Sequence, residues 1–369
     1  GRTVQIETYC EDESSLRARL KREGRSAAFT GKTPADFEAW KVATRARLYD
    51  VLGLSLMDRV PIEIRELSCV RVAGGIVRTH AMLQVERDVW MPFYLLEPSH
   101  PKLDERGLKR CYICPHGHQG AGAASVAGVA GVPAVDDAVR KFNYDYGLRL
   151  ARMGYVTVCP DARGWGYRRD WKGQGDDDNS YLRGTCLNQA RMAEPLGLTV
   201  AGLNAWDNMR LIDYLEARGD IAMDDLGCFG FSGGGYMTLY LAALDPRVRK
   251  AFVSGYLYGV GDSLLHLNGN CSCNYTPGLW RLLDMGDIAS LIAPRPLLVQ
   301  SCEEDHLNGA RGLKNVDEQL EIVRDAYKLL GRRDGLRHEV CPGEHHLGVA
   351  HLAEDIEWLD SHVAERARA

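Results

Sequence analysis

Five residues, Gly230-Phe231-Ser232-Gly233-Gly234, set a serine between glycines directly after the apolar run 226–229 and before an apolar helical pattern opening near Gly235. A G-x-S-x-G run between a strand and a helix is the setting of a nucleophilic serine lifted above a sheet on a sharp turn. The backbone at such a serine is strained, and a side chain at 230 or 234 would collide across the turn, so both positions call for glycine. With 39 glycines in the chain, the bare pattern also arises by chance, and its strand-to-helix setting is what singles it out. A serine hydroxyl is a weak nucleophile, so Ser232 needs a base, and the base needs a carboxylate to orient it.

Both groups follow in chain order. The buried-strand pattern 296–300 runs into Ser301-Cys302-Glu303-Glu304-Asp305, which offers three carboxylates. The last strand pattern ends in Cys341-Pro342-Gly343-Glu344-His345-His346. Adjacent side chains diverge, so only one of the two histidines can face the serine. The same divergence argues against the pair as a metal site, since no third ligand stands at helical spacing. An acyl-transfer intermediate also needs two N–H donors for its oxyanion. One is expected from Gly233, the residue after the nucleophile. The other is expected from the loop Pro115-His116-Gly117-His118-Gln119-Gly120. His116 and His118 as metal ligands are the weaker reading of that loop, because no carboxylate is near them in sequence. Cys271-Ser272-Cys273 supplies two thiols, a poor metal site on their own, and a structural use is expected.

The elements that must hold these groups are legible as a pattern. Thr33-Pro34 and the apolar positions after it predict a capped helix ending near Gly53, and the charged segment 11–23 predicts another before it. Residues 1–58 thus read as a helical N-terminal extension, and 59–369 as a catalytic domain. The runs 61–70, 76–86 and 90–96 alternate as antiparallel strands, with Gly74-Gly75 at the first turn. After residue 110 the pattern changes to short apolar strands (111–114, 155–159, 226–229, 251–254, 296–300, 337–341) alternating with helices (137–153, 199–218, 234–244, 316–330, 347–364). That rhythm predicts a mostly parallel sheet covered by helices on both faces. Insertions at about 170–195 and 256–284 break it, and long loops in a compact domain are usually functional. The second carries Tyr256, Tyr275 and Trp280, aromatics expected to bind substrate by stacking on a sugar or acyl group.

Composition removes other classes of function. Over 369 residues, 45% are hydrophobic and 26% charged, with a net charge of −5. These values fit a globular protein and exclude global disorder. No basic run could track phosphates, so nucleic acid is not an expected partner. The longest uncharged stretch, 111–135, is interrupted by glycine, proline and histidine and does not read as a membrane span. No apolar leader is visible, so a cytoplasmic location is expected, although Gly1 in place of Met leaves a removed signal peptide open. Eleven cysteines, several of them inside apolar runs, read as reduced buried thiols.

On these residues the chain resembles the α/β-hydrolase superfamily, and within it the acetyl xylan esterase-like bacterial serine esterases. The matching stretches, within about residues 90–360, are Pro115-His116-Gly117-His118, Pro160-Asp161-Ala162-Arg163-Gly164, Ala201-Gly202-Leu203-Asn204-Ala205-Trp206-Asp207, the Ser232 turn, Cys273-Asn274-Tyr275-Thr276-Pro277-Gly278, Ile292-Ala293-Pro294-Arg295-Pro296 and Cys341-Pro342-Gly343. The resemblance implies an α/β-hydrolase fold and a serine carboxylic ester hydrolase that deacetylates a carbohydrate or other small acyl ester, with no cofactor. It implies Asp305 as the acid, ahead of Glu303 and Glu304, although Cys302 stands where a glycine is usual. It implies His345 as the base ahead of His346, the N–H of His118 beside that of Gly233 as oxyanion donors, and Asp161, Arg163 and Asp207 as residues tying loops down. A prolyl-oligopeptidase-like serine peptidase and a non-catalytic binding protein of the same fold are the alternatives. The expected partner is a small-molecule or oligosaccharide ester, and self-association into a homo-oligomer is left open.

Overall fold

The computed structural model describes residues 11–170 and 184–364. Half of the first insertion, 171–183, therefore lies outside the described residues. Nine strands form one sheet: β1 (Ile64–Val72), β2 (Ile76–Glu86), β3 (Val89–Pro98), β4 (Cys111–Ile113), β5 (Val156–Pro160), β6 (Gly227–Phe231), β7 (Lys250–Ser254), β8 (Leu297–Cys302) and β9 (Leu336–Cys341), in the order β1-β2-β3-β5-β4-β6-β7-β8-β9. β1 to β3 are antiparallel, and β3 meets β5 antiparallel; every pairing from β5 through β9 is parallel. The tight turn between β1 and β2 places Gly74 and Gly75 at φ 83° and 71°, a conformation that side chains resist.

The parallel strands β4 to β8 are buried throughout. Helices close over both faces: α1 (Glu13–Glu23), α2 (Pro34–Val51), α3 (Ala123–Val126), α4 (Pro133–Phe142), α5 (Tyr146–Arg152), α6 (Cys186–Ala193), α7 (Val200–Arg218), α8 (Gly233–Leu244), α9 (Leu279–Leu282), α10 (Met285–Ser290), α11 (Leu313–Leu329) and α12 (Leu352–Ala364). Two apolar clusters result. One unites Phe229, Phe252 and Leu298 with α3 to α5 and α12; the other unites Leu226, Val253 and Val299 with α2, α7, α8 and α11. Parallel strands end on the same edge of the sheet, so the loops after β4, β6, β8 and β9 gather there. In open parallel sheets that edge is where ligands bind.

Three sequence expectations change. The helix expected across 137–153 is two helices, because Asn143 adopts a left-handed φ of 56° and its side-chain amide donates to the Leu347 carbonyl at 2.8 Å. The final helix begins at Leu352, so His346 sits in a turn before it and not at a helix start. Of the N-terminal helices, α2 is part of the main core, and α1 packs only the partly buried Leu20 against it. Thr33 and Asp36 cap α2 reciprocally, Phe37 and Leu48 are buried in the second cluster, and the Lys41 ammonium donates to the Ala293 carbonyl at 2.9 Å. Among the described residues no helix is long and apolar enough to cross a membrane.

Candidate active site

Ser232 links β6 to α8 with φ 59° and ψ −121°, a strained backbone that no packing preference of serine explains. The flanking glycines are sterically required. A Cβ on Gly230 would lie 2.0 Å from the Gly234 carbonyl oxygen, and one on Gly234 would lie 2.2 Å from that of Pro115. The turn is pinned by the Ser232 N–H, which donates to the Ser254 carbonyl at 2.8 Å.

His345 Nε2 lies 2.9 Å from Ser232 Oγ, and His345 Nδ1 lies 2.5 Å from Asp305 Oδ2. With the Nδ1 proton donated to the carboxylate, Nε2 is left as the acceptor for the serine hydroxyl. Asp305 is buried and also accepts the Leu307 N–H at 2.9 Å, which fixes its rotamer. The loops carrying acid and base are bonded to each other: Glu303 N–H donates to the Cys341 carbonyl at 2.9 Å and Glu304 N–H to that of Gly343 at 3.0 Å. The side chains of Glu303 and Glu304 are exposed. His346 turns away, its Nδ1 2.7 Å from the Glu344 carbonyl and 3.5 Å from Cys302 Sγ. Of the rival acids and bases, the structure brings only Asp305 and His345 to Ser232.

Gly233 opens α8 and His118 follows β4, and neither N–H has an acceptor among the described residues. The two loops touch: a Cβ on Gly117 would lie 2.9 Å from the Gly233 nitrogen, and one on Gly233 would lie 2.5 Å from His118 Nδ1. Gln119, which carried no role in the sequence reading, points its amide nitrogen at Ser232 Oγ from 3.4 Å. Its position beside His118 was the only sequence signal for it.

His116 is not available to a metal. Its Nε2 accepts the Ala162 N–H at 2.9 Å, so Nδ1 carries the proton and donates to the Gly117 carbonyl at 2.7 Å. Burial pushes its pKa down to about 4. The folded chain holds this ring neutral while the unfolded chain protonates it near the reference value of ~6.5, so stability is lost as pH falls from about 6.5 toward 4. Urea unfolding of wild type and His116→Gln is expected to show wild type ahead at pH 7.5. The gap should close by on the order of 2–3 kcal/mol at pH 4.5, because only the wild type carries the titration. A pH-independent gap would contradict this account of the ring.

The residues expected to tie loops down do so. Arg163 clasps Asp207 with two bonds of 2.9 and 2.8 Å, and Arg168 adds a third at 2.7 Å. Burial alone would raise the Asp207 carboxyl, but the two guanidinium groups outweigh it and hold it below the usual range. Asp161 accepts the Ala123 N–H at 2.9 Å, and burial pushes its pKa up to about 7.

Of the expected substrate aromatics, Tyr256 needs correction. Tyr256 is only 3% exposed and donates its hydroxyl to Asn274 Oδ1 at 2.6 Å, so it braces the insertion from inside. Tyr275 donates to the Leu264 carbonyl at 2.7 Å and packs edge-on against Trp280, and the Trp280 carbonyl receives the Arg25 N–H from the N-terminal segment at 3.3 Å. Tyr275 and Trp280 remain half-exposed. Cys271 and Cys273 do not stand alone either: Cys186 and His118 join them in one cluster, which changes the premise on which metal ligation was set aside.

Comparison with known proteins agrees with this architecture. The sequence profile of the Abhydrolase family matches residues 20–342, beginning inside the segment read as an extension. YtaP of Bacillus subtilis (strain 168), named as a hydrolase, is 25% identical over 309 residues, covering 80% of this chain and 95% of that protein. A Bacteroides fragilis NCTC 9343 structure named as an acetyl xylan esterase superposes with a TM-score of 0.72 at 17% identity, over 90% of this chain and 83% of that one. A glucuronoyl esterase from Solibacter usitatus superposes with a TM-score of 0.63 at 14% identity, over 92% and 96%. With the nine-stranded sheet and the serine turn, the profile match identifies the chain as a member of the Abhydrolase family with the α/β-hydrolase fold.

Proposed function

We propose that the chain is a serine carboxylic ester hydrolase acting on acetylated carbohydrates or other small acyl esters through an acyl-enzyme. One observation carries the reading: Ser232 Oγ, His345 and Asp305 stand in hydrogen-bonded series at 2.9 and 2.5 Å beside two backbone N–H groups that have no acceptor among the described residues. Ser232 Oγ attacks the ester carbonyl and its proton passes to His345 Nε2. Asp305 fixes the imidazole and stabilises the imidazolium. The N–H groups of Gly233 and His118 take the oxyanion, and His345 returns the proton to the departing alcohol. Water, deprotonated by the same imidazole, then releases the acid.

The esterase names of the structural neighbours, the acetyl xylan esterase among them, support an ester as substrate. Assay of the full chain against acetylated xylo-oligosaccharides, p-nitrophenyl acyl esters and aminoacyl amides tests the proposal. Turnover is expected with the esters and greatest with short acyl groups. Cleavage of the amides alone would favour the peptidase reading, and no turnover in any class would favour a binding protein.

A further inference from the structure

Beside the serine, four side chains from three distant parts of the chain converge. His118 comes from the loop after β4, Cys186 opens α6, and Cys271 and Cys273 flank a tight turn in the second insertion. Nε2 of His118 and the three sulfurs all lie within 4.8 Å of one another. His118 Nε2 is 3.2 Å from Cys273 Sγ and 3.9 Å from Cys186 Sγ. Tetrahedral zinc, with bonds of about 2.3 Å to sulfur and about 2.0 Å to nitrogen, separates its ligand atoms by roughly 3.5–3.8 Å. All three cysteines are free thiols.

Cysteines also gather as small apolar groups, and the surroundings separate the two cases. Trp165 Nε1–H points at Cys186 Sγ from 2.9 Å, and the Asn274 amide nitrogen lies 3.6 Å from Cys273 Sγ. The Ser272 hydroxyl is 3.7 Å from Cys271 Sγ. Donors turned toward sulfur are what a negatively charged thiolate cluster needs around it, and an apolar one has no use for them. The turn that presents two of the thiols is itself built: Tyr256 holds Asn274, whose amide nitrogen also donates to the Cys271 carbonyl at 3.0 Å, and the Tyr236 hydroxyl on α8 donates to the Cys273 carbonyl at 2.8 Å. His118 and Cys271 are partly exposed, which leaves an ion a way in.

We propose that His118, Cys186, Cys271 and Cys273 form a closed Cys3His site for a zinc ion, stapling the His118 loop to α6 and to the second insertion. On binding, each thiol gives a proton to solvent and His118 contributes the Nε2 lone pair while keeping its Nδ1 proton. One divalent ion is exchanged for three protons, the complex carries one negative charge, and nothing is oxidised or reduced. Thiolates with one imidazole in tetrahedral array favour zinc over magnesium, calcium or manganese. Four protein ligands leave no position for water, so the ion serves structure and Ser232 keeps the chemistry. Under the esterase reading, the same ion fixes the residue whose N–H receives the oxyanion; the test below does not depend on that reading.

The full chain, expressed without a histidine tag in zinc-supplemented medium and purified without chelator, is expected to hold about one zinc per chain by elemental mass spectrometry. Exchange with cobalt(II) should give the intense visible bands of a tetrahedral ion and thiolate-to-cobalt charge transfer in the near ultraviolet. That measurement uses the wild-type chain, so it stands even if the variants fail to fold. Cys271→Ser with Cys273→Ser, checked for folding by circular dichroism, should lower zinc content at least about tenfold. Less than about a tenth of an equivalent of zinc, with cobalt giving no charge-transfer band, would overturn the proposal. So would a disulfide among these cysteines in the intact purified chain, or full zinc retention by the folded double variant.

Discussion

Ser232→Ala is expected to end ester hydrolysis, leaving at most the residual ~10³ to 10⁴-fold rate over water that binding and the oxyanion donors can supply. The expectation rests on geometry: Ser232 Oγ is the atom hydrogen-bonded to His345 Nε2, and the buried serine sits on a backbone that folding strains to hold it there. Alanine keeps the α8 start and removes one oxygen, so the fold should persist. Steady-state assay with a short-chain p-nitrophenyl ester, alongside thermal unfolding of both proteins, checks it. Near-normal turnover by the folded variant would remove the serine from the reaction.

Asp305→Asn should cost kcat almost as heavily, by on the order of 10⁴-fold as in the serine protease case from which that magnitude is taken. His345 Nδ1 is 2.5 Å from Asp305 Oδ2, and an amide there can present its own N–H to Nδ1. That selects the tautomer with the proton on Nε2, which cannot accept from Ser232, and it removes the charge that stabilises the imidazolium. Glu303→Gln and Glu304→Gln should change kcat little, because both side chains are exposed and the Asp305 oxygen is the one at the ring. A loss at Glu303 or Glu304 with Asp305→Asn active would place the acid elsewhere in this loop.

What could be read from the sequence was set by how locally each feature is determined. The Ser232 turn was legible because the constraint is contained in five residues: any Cβ at 230 or 234 meets a carbonyl oxygen. The strands β4 to β8 were legible because burial on both faces demands unbroken apolar runs. The break at Asn143 was missed because the apolar spacing continues across it, while a tertiary bond to the Leu347 carbonyl helps hold the left-handed residue. Choosing between His345 and His346 depends on how a loop turns over a single residue, and spacing does not carry that information. Tyr256 was read as a substrate aromatic because insertions use such residues both to bind and to pack; its hydroxyl bond to Asn274 decides for packing. The thiol cluster was illegible for a different reason. Cys186 lies far upstream of Cys271 and Cys273, and only the fold brings it and His118 to them.

The most direct measurement of the central claim is labelling of the wild-type chain with a fluorophosphonate, followed by peptide mapping. Such a probe reacts with a serine hydroxyl only where a base and oxyanion donors activate it. The account predicts one adduct per chain, on Ser232, absent from His345→Ala and slowed by a competing ester. An unlabelled wild-type chain, or an adduct on another residue with Ser232 unmodified, would contradict it.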